Sequence, residues 1–467
     1  MTTTAPSDDA IGAGESPVPV AGNGRAKLIT GSIPRHLVNQ TVPGILGVLA
    51  IMSVGVIDAY FIGQLGGDEL AAISFVFPVI TALSSLGVGL MVGVASVVSR
   101  ALGEDNEARA RGRANLGILT GMAAGLIFGG SLYLTRQPLF ALMQAEPRVL
   151  ALIEEYIRPF AIVFPLLLIM MAVNGVLRGQ GLAKASTGVL LAYAAVNWAL
   201  DPFLIGGIGS FEGFGIAGAA YATGCGWVVA VFAAFAMLAR GDIPFDPGAL
   251  RGRRWGIGLR ALLKVAIPAS FTNSISPAAM AVLTGLVAAE SQASVAGFGA
   301  GGRIQAIALV PVLALSGSIG AIVGQNWGAG SYDRAYRAIW QAGLFCLAYG
   351  LASALVLYVL CAWFAGLFSD EPEVIAATTR YLQISVWGFA GFGVVIVING
   401  ALNAVDRANT ALVLSLIRVV LVMLPFAWIM RSTWGEDAIY SAEMIANLLG
   451  SVIAAAIGWQ VFRKAAA

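Results

Sequence analysis

Apolar runs of roughly 20 residues recur along nearly the whole chain after residue 36, and each is long enough to cross a ~30 Å hydrocarbon core as a helix. That recurrence fixes the fold class as an all-α membrane protein. Charged residues make up only 11% of the 467-residue chain and hydrophobic residues 58%, whereas soluble domains carry about 25% charged residues. The 58 glycines would weaken soluble helices, but between membrane helices small residues let backbones approach closely.

Taking Gly, Pro and charge clusters as helix ends predicts spans near residues 37–63, 72–98, 114–134, 157–177, 186–206 and 214–239. A second set falls near 265–288, 296–323, 336–366, 382–402, 408–430 and 438–462. Twelve spans put both termini on one side. With that side cytoplasmic, 21 of the 27 Lys and Arg residues lie inside and six outside, as the positive-inside rule requires. Thirteen acidic residues fall outside and ten inside, which leaves Asp58 and Asp201 within the spans. A multi-pass protein of the cell inner membrane with cytoplasmic termini is therefore expected. Residues 1–34 contain no apolar core of the signal-peptide kind and read as a disordered cytoplasmic tail.

The basic connector at 240–264, with Arg251, Arg253 and Arg254, divides an N-terminal lobe (35–239) from a C-terminal one (265–467). One constant offset superposes Pro43 on Pro268, Gly103 on Gly328, Arg109 on Arg334, and Asn174-Gly175 on Asn399-Gly400. Each unit holds an even number of spans, so the two are parallel repeats related by an axis along the membrane normal. Two equal lobes suit alternating access, in which one bundle rocks against the other around a central site.

Asp58 stands some fifteen residues into the first span with no Lys or Arg near it in sequence. Carboxylates in membrane helices usually face a bundle interior or a water-filled cavity, where they bind ions or relay protons; a place at the outer interface or as a helix cap is the plainer alternative. Asn197 and Asp201 are four residues apart, on one face of a helix, and Pro202 leaves the Trp198 carbonyl without its usual donor. Asp-Pro also serves as a helix terminator. Asn174 and Thr223 are uncharged oxygen donors at membrane depth. At the repeat offset Asp58, Asn197 and Asp201 correspond to Leu283, Val422 and Phe426, so the polar cluster is expected in the first lobe alone.

Other features predict structure. Gly117, Gly121, Gly125 and Gly129 form a helix-packing stripe, and Arg178 reads as a snorkelling anchor beside a tight turn. Cys225, Cys346 and Cys361 are far apart in apolar stretches, and His36, the only histidine, has no metal-binding partner. Without a Gly-x-x-x-x-Gly-Lys-Ser/Thr run, ATP hydrolysis is not expected.

The segments Val56-Ile-Asp-Ala-Tyr-Phe-Ile-Gly-Gln-Leu-Gly-Gly-Asp-Glu-Leu-Ala-Ala, Asn174-Gly-Val-Leu-Arg-Gly-Gln-Gly, Asn197-Trp-Ala-Leu-Asp-Pro and Gly218-Ala-Ala-Tyr-Ala-Thr resemble the multidrug and toxic compound extrusion (MATE) transporters, particularly their DinF-like prokaryotic branch. The resemblance spans roughly residues 35–462. It implies a V-shaped pair of six-helix lobes and export of amphipathic, often cationic organic compounds, driven by inward movement of protons or sodium ions. It also implies that Asp58 is the cation-coupling residue, surrounded by Asn174, Asn197, Asp201 and Thr223, and that Pro43 marks a bend in the first helix. Sodium would be held at Asp58, Asn197, Asp201 and Thr223. Other branches carry a glutamate early in the seventh span, where this chain has Asn273, Ser274 and Ser276.

No cofactor beyond the coupling ion is expected. The expected partners are small organic molecules and membrane lipid, with no nucleic acid, for a functional monomer. Two rivals stand beside the exporter: a flippase for lipid-linked intermediates, and an intramembrane aspartyl protease in which the two aspartates activate water. The protease reading lacks the expected Gly-x-Gly-Asp element, since Trp-Ala-Leu precedes Asp201.

Overall fold

The structure, a computed structural model, describes residues 26–143, 146–250 and 255–466. Among the described residues, eleven helices are long and apolar enough to cross a membrane, and a bent pair completes a twelfth span. In the first half these are α1 (Ile33–Leu65), α2 (Gly67–Gly103), α3 (Glu107–Leu142), α4 (Pro147–Gly179), α5 (Ala183–Gly206) and α6 (Ile216–Ala239). The second half opens with α7 (Trp255–Ala288), then α8 (Gln292–Ala308) and α9 (Val310–Gly328), which meet at 45°. Pro311, within the first two positions of α9, has no N–H to continue the ladder from α8, which explains the break.

The remaining spans are α10 (Tyr332–Val359) with the short α11 (Cys361–Gly366), then α12 (Pro372–Ser385) with α13 (Phe389–Ala404). They are followed by α14 (Ala408–Leu416) with α15 (Leu424–Trp434), and by α16 (Glu436–Gly458). A π-helical turn at Ile417–Met423 joins α14 to α15, where the missing N–H of Pro425 interrupts the ordinary register. All twelve predicted spans fall on these helices.

The duplication is written into the turns. Asp105 and Gly330 both have positive φ, at 52° and 70°, and so do Gly181 and Asp406, at 75° and 65°. Each of these pairs is related by the offset that superposes Pro43 on Pro268. The same left-handed turn thus follows the second and fourth spans of each half. Asp406 adopts it without glycine's freedom, and its carboxylate meets Lys264 at 2.7 Å and Arg100 of the other lobe at 3.8 Å.

Two boundaries differ from expectation. The tail predicted to reach residue 34 is ordered from residue 26: Leu28 is buried, its N–H donates to Gln325 Oε1 at 3.0 Å, and its carbonyl accepts from Asn326 Nδ2 at 3.1 Å. Backbone groups paired across the lobe boundary hold this strap in place. Residues 1–25 of that tail lie outside the described residues. The 240–264 connector is also shorter than expected, because α7 starts at Trp255; Arg251, Arg253 and Arg254 lie outside the described residues.

Among the described residues, every hydrogen bond and ion pair between the lobes lies at the end carrying Gly179, Gln325 and Asp406. Ser96 donates to the Asn403 carbonyl at 2.7 Å, Gln325 to the Gly179 carbonyl at 2.9 Å, and Arg334 to the Gly31 carbonyl at 3.1 Å. Glycines make this end tight: a Cβ on Gly93 would lie 2.8 Å from Ala266 Cβ, and one on Gly103 would collide with the Gln325 backbone.

The predicted small-residue stripe on α3 is a packing seam. A Cβ on Gly121 or Gly125 would sit 2.8 Å from the Leu168 carbonyl or 2.6 Å from Pro165 Cα, both backbone atoms of α4. Gly125→Ala is therefore expected to lower stability by about 1–3 kcal/mol through overpacking. Gly130→Ala, at a position with nothing within 4 Å, should be neutral. Thermal unfolding of the two variants in detergent checks the contrast.

Candidate functional site

Three helices bring the predicted polar residues together. Asp58 lies seven residues before the end of α1, Asp201 five before the end of α5, and Thr223 seven after the start of α6. The cluster therefore sits about 10 Å inside the helix ends remote from the closed inter-lobe contact. α5 continues through Pro202 to Gly206, so Asp-Pro does not terminate the helix. Asp201, Asn197 and Thr223 are buried and Asp58 is half-buried.

Asn197 ties the cluster across all three helices. Its Nδ2 donates to Asp58 Oδ1 and to Thr223 Oγ1, each at 3.4 Å. The carboxyl groups of Asp58 and Asp201 lie within hydrogen-bonding reach of each other. Both Asp201 oxygens and Asn197 Oδ1 are buried without a donor. Carboxylates carry no hydrogen of their own, so these oxygens call for a donor from outside the side-chain set: a proton, a bound cation or water. An all-oxygen set of two carboxyls, one amide and one hydroxyl fits either.

Aromatic residues close the interior side. Tyr193 lies one helical turn before Asn197 on the same face of α5, with its hydroxyl towards Thr223, and stacks on Trp227 at 6.4 Å between ring centroids. Tyr156, also buried, lies within electrostatic range of the two aspartates and stacks on Phe160 at 5.8 Å. The sequence reading missed both tyrosines. The four-residue series Tyr193, Asn197, Asp201 was the available signal for one of them.

Asn174 is placed elsewhere. Its Oδ1 accepts from Ser186 Oγ at 2.5 Å and its Nδ2 donates to the Ser186 carbonyl at 3.3 Å. Ser186 is eleven residues before Asn197 on α5, about 16 Å along the axis, so Asn174 does not join the Asp58 cluster. Arg178 belongs to this second network, donating from Nε to Ser186 Oγ at 3.1 Å, and a Cβ on Gly317 of the other lobe would collide with its guanidinium. It is packed into the inter-lobe contact, which corrects the snorkelling expectation. Pro43 lies within α1 beside Gly44, whose Cβ position meets Ala314 of the second lobe at 3.4 Å.

The second lobe overturns one expectation. Leu283 is buried in an apolar core, and Val422 and Phe426 pack against it, as the offset predicted. A polar cluster nevertheless exists there. Gln305 Nε2 donates to Glu443 Oε1 at 2.7 Å, Tyr381 Oη lies 2.7 Å from Gln305 Oε1 and 3.3 Å from Glu443 Oε2, and Arg418 donates to Asn447 Oδ1 at 2.6 Å and Ser276 Oγ at 2.9 Å. The charge count places Arg418 on the cytoplasmic side and Glu443 outside. Both are instead buried inside spans.

The family model MatE matches residues 43–203 and again 268–429, two segments that begin at Pro43 and Pro268, the pair superposed by the repeat offset. The FAD transporter of Shewanella oneidensis is 34% identical over 431 residues, covering 91% of this chain and 94% of that protein. The multidrug export protein MepA of Staphylococcus aureus is 22% identical, covering 90% and 92%. Among solved structures, a multidrug resistance MATE transporter in an outward-facing conformation aligns with a TM-score of 0.89 at 21% identity, covering 95% of this chain and 99% of that one.

The two networks separate experimentally. Removing a hydrogen bond to a charged group costs about 1.5–3 kcal/mol, so if the Asp58 cluster takes up a proton or cation, Asn197→Ala should move the ion dependence of transport by roughly tenfold or more. Asn174→Ala should lower stability without moving it. Initial rates in proteoliposomes against ion concentration, with thermal unfolding alongside, check both.

Proposed function

This chain belongs to the MatE family of membrane transporters, and from that premise we propose that it is a secondary active exporter of amphipathic organic compounds, driven by inward flow of protons or sodium ions. It is a multi-pass transporter and not an enzyme, which removes the protease reading. The observation that carries the coupling role is the facing pair Asp58 and Asp201, in which Asp58 accepts from Asn197 and both buried Asp201 oxygens lack any donor of the protein's own. Such a pair binds a cation or a proton when charged and releases the strain of like charges when it does.

The contact pattern supports alternating access. With the basic end cytoplasmic, the lobes meet on the inside and the acidic site lies towards the outside, so the arrangement is outward-facing. Occupation of the Asp58 site removes net charge between α1, α5 and α6, and α1 can then move at Pro43, where a backbone hydrogen bond is missing. A ligand shifts the lobe equilibrium only by its differential affinity for the two states. Inward opening requires separation of Ser96 from Asn403, Arg100 from Asp406 and the Leu28 strap from Gln325.

A second substrate reading is favoured by the relative named as a FAD transporter, whose match covers nearly all of both chains. Under it the exported compound is a flavin dinucleotide, an anion with a planar ring, in place of an organic cation. Proteoliposome export of a fluorescent cation and of a flavin dinucleotide, each under separate proton and sodium gradients, distinguishes the substrates and the coupling ions. Asp58→Asn keeps the side-chain volume but cannot exchange a proton or neutralise a cation, and it should abolish gradient-driven export of whichever substrate is moved while leaving the protein folded. Export by that variant at the wild-type rate would sink the assignment.

A further inference from the structure

The polar cluster of the second lobe occupies the symmetry-related place of the first-lobe site. At the repeat offset Tyr381 is the mate of Tyr156 and Arg418 the mate of Tyr193, the two tyrosines within electrostatic range of the aspartates. The last spans are related by a shorter step, because Gly215 and Gly435, with φ of 57° and 56°, immediately precede α6 and α16. Counted from those glycines, Glu443 is the mate of Thr223 and Asn447 the mate of Trp227. The lobes thus carry polar groups at the same depth and on the same helices, with different chemistry.

We propose that Glu443 is a second proton-exchange site, switching between a hydrogen-bonded circuit with Gln305 and Tyr381 and an ion pair with Arg418. The circuit is a matter of hydrogen inventory. Tyr381 has one hydrogen but two acceptors within reach, Gln305 Oε1 at 2.7 Å and Glu443 Oε2 at 3.3 Å. With Glu443 ionised, one of these oxygens is left without that hydrogen. With a proton on Glu443 Oε2, the set closes: Gln305 Nε2 donates to Glu443 Oε1, Glu443 to the Tyr381 oxygen, and Tyr381 to Gln305 Oε1. Tyr381 is fully buried, Gln305 8% exposed and Glu443 9%, so bulk solvent has little access to the set and its hydrogens come mainly from its own members.

The alternative partner is already in place. Arg418 is 4% exposed, its Nε has no acceptor, and among the described residues no carboxylate lies within ion-pair distance of it. Its hydrogen-bond acceptors, Asn447 and Ser276, are neutral, and its guanidinium lies 5.4 Å from the Phe392 ring centroid. Asn447 also faces Glu443, so it stands between acid and base. When the Glu443 O–H bond breaks, the proton leaves to water, the electron pair stays on the carboxylate, and Arg418 is the nearest charge to receive it.

The titratable groups facing Glu443 are Arg418, from the π-helical turn, and Tyr381 of α12, with Tyr440 of α16 beyond, 5.4 Å from Tyr381 between centroids. Gln305 lies four residues before the break between α8 and α9, so opening the circuit frees a residue beside the 45° bend of that span. Proton exchange at Glu443 would in this way act on the second lobe as occupation of Asp58 acts on the first.

The proposal deepens the reading of a cation-driven transporter, and its test reads the carboxyl directly, without transport, so either can fail alone. Purified full-length protein in lipid nanodiscs is followed by infrared difference spectroscopy through a pH titration in an Asp58→Asn/Asp201→Asn background. A protonated-carboxyl band should persist there and be lost when Glu443→Gln is added. Tyr381→Phe, which keeps the acid and deletes one oxygen, should shift the frequency of that band, and Arg418→Met should shift the pH at which it disappears. A band that survives Glu443→Gln, the absence of any such band in the background protein, or an unchanged frequency in Tyr381→Phe would overturn the proposal.

Discussion

The facing carboxyls of Asp58 and Asp201 set the terms for the rest of the molecule. Two acids in a low-dielectric bundle repel when both are charged, and among the described residues Asn197 is the one amide donor they have, to Asp58 alone. Under the proposed coupling role, a proton or cation between the oxygens relieves that repulsion and favours tighter packing of the helices that carry them. That relief ties the geometry of α1 to the state of α5 and α6. A structural hydrogen-bond network would instead be satisfied from within, as Asn174 and Ser186 satisfy each other between α4 and α5.

The rest of the architecture makes such a local event large. Glycines at the closed end bring backbones of opposite lobes within contact, so the interface is stiff and does not deform by degrees. Its polar bonds are few and specific, and several end on backbone carbonyls that become free when the lobes part. The strap at Leu28 adds a third element that touches both lobes, since its side chain packs on the left-handed turn at Gly181 while its backbone bonds to Gln325.

Duplication explains why both lobes carry buried polar clusters and why they differ. The repeat preserves turns, packing and helix faces, as the positive φ at Asp105, Gly330, Gly181 and Asp406 shows. It leaves side chains free to diverge. The first lobe kept two acids and oxygen donors, and the second carries one acid balanced by one guanidinium within reach. The π-helical turn that positions Arg418 has no counterpart on α5, which continues as an α-helix through Pro202.

Much of this was written in the sequence, for a physical reason. Lipid demands internally bonded apolar helices of fixed length, so span number, repeat and the acids Asp58 and Asp201 can be read from residue type and spacing. The four-residue interval of Asn197 and Asp201 gave their shared face. What the sequence did not decide is which oxygens meet across helices. Asn174 and Asn197 are alike as residue types; their places, three residues from the end of the predicted span 157–177 and midway along 186–206, hinted at different depths, but the partners of each are decided only by how α4, α1 and α5 pack. Arg178 reads as an anchor until the second lobe closes over it. Glu443 was hidden by a constant offset that fails after the fifth span, where the loop at 207–215 faces a single glycine, Gly435, in the other half, and Arg418 by its count among the cytoplasmic charges. Spacing along one chain carries no information about such a slip, because burial and partners arise only when the repeats are packed.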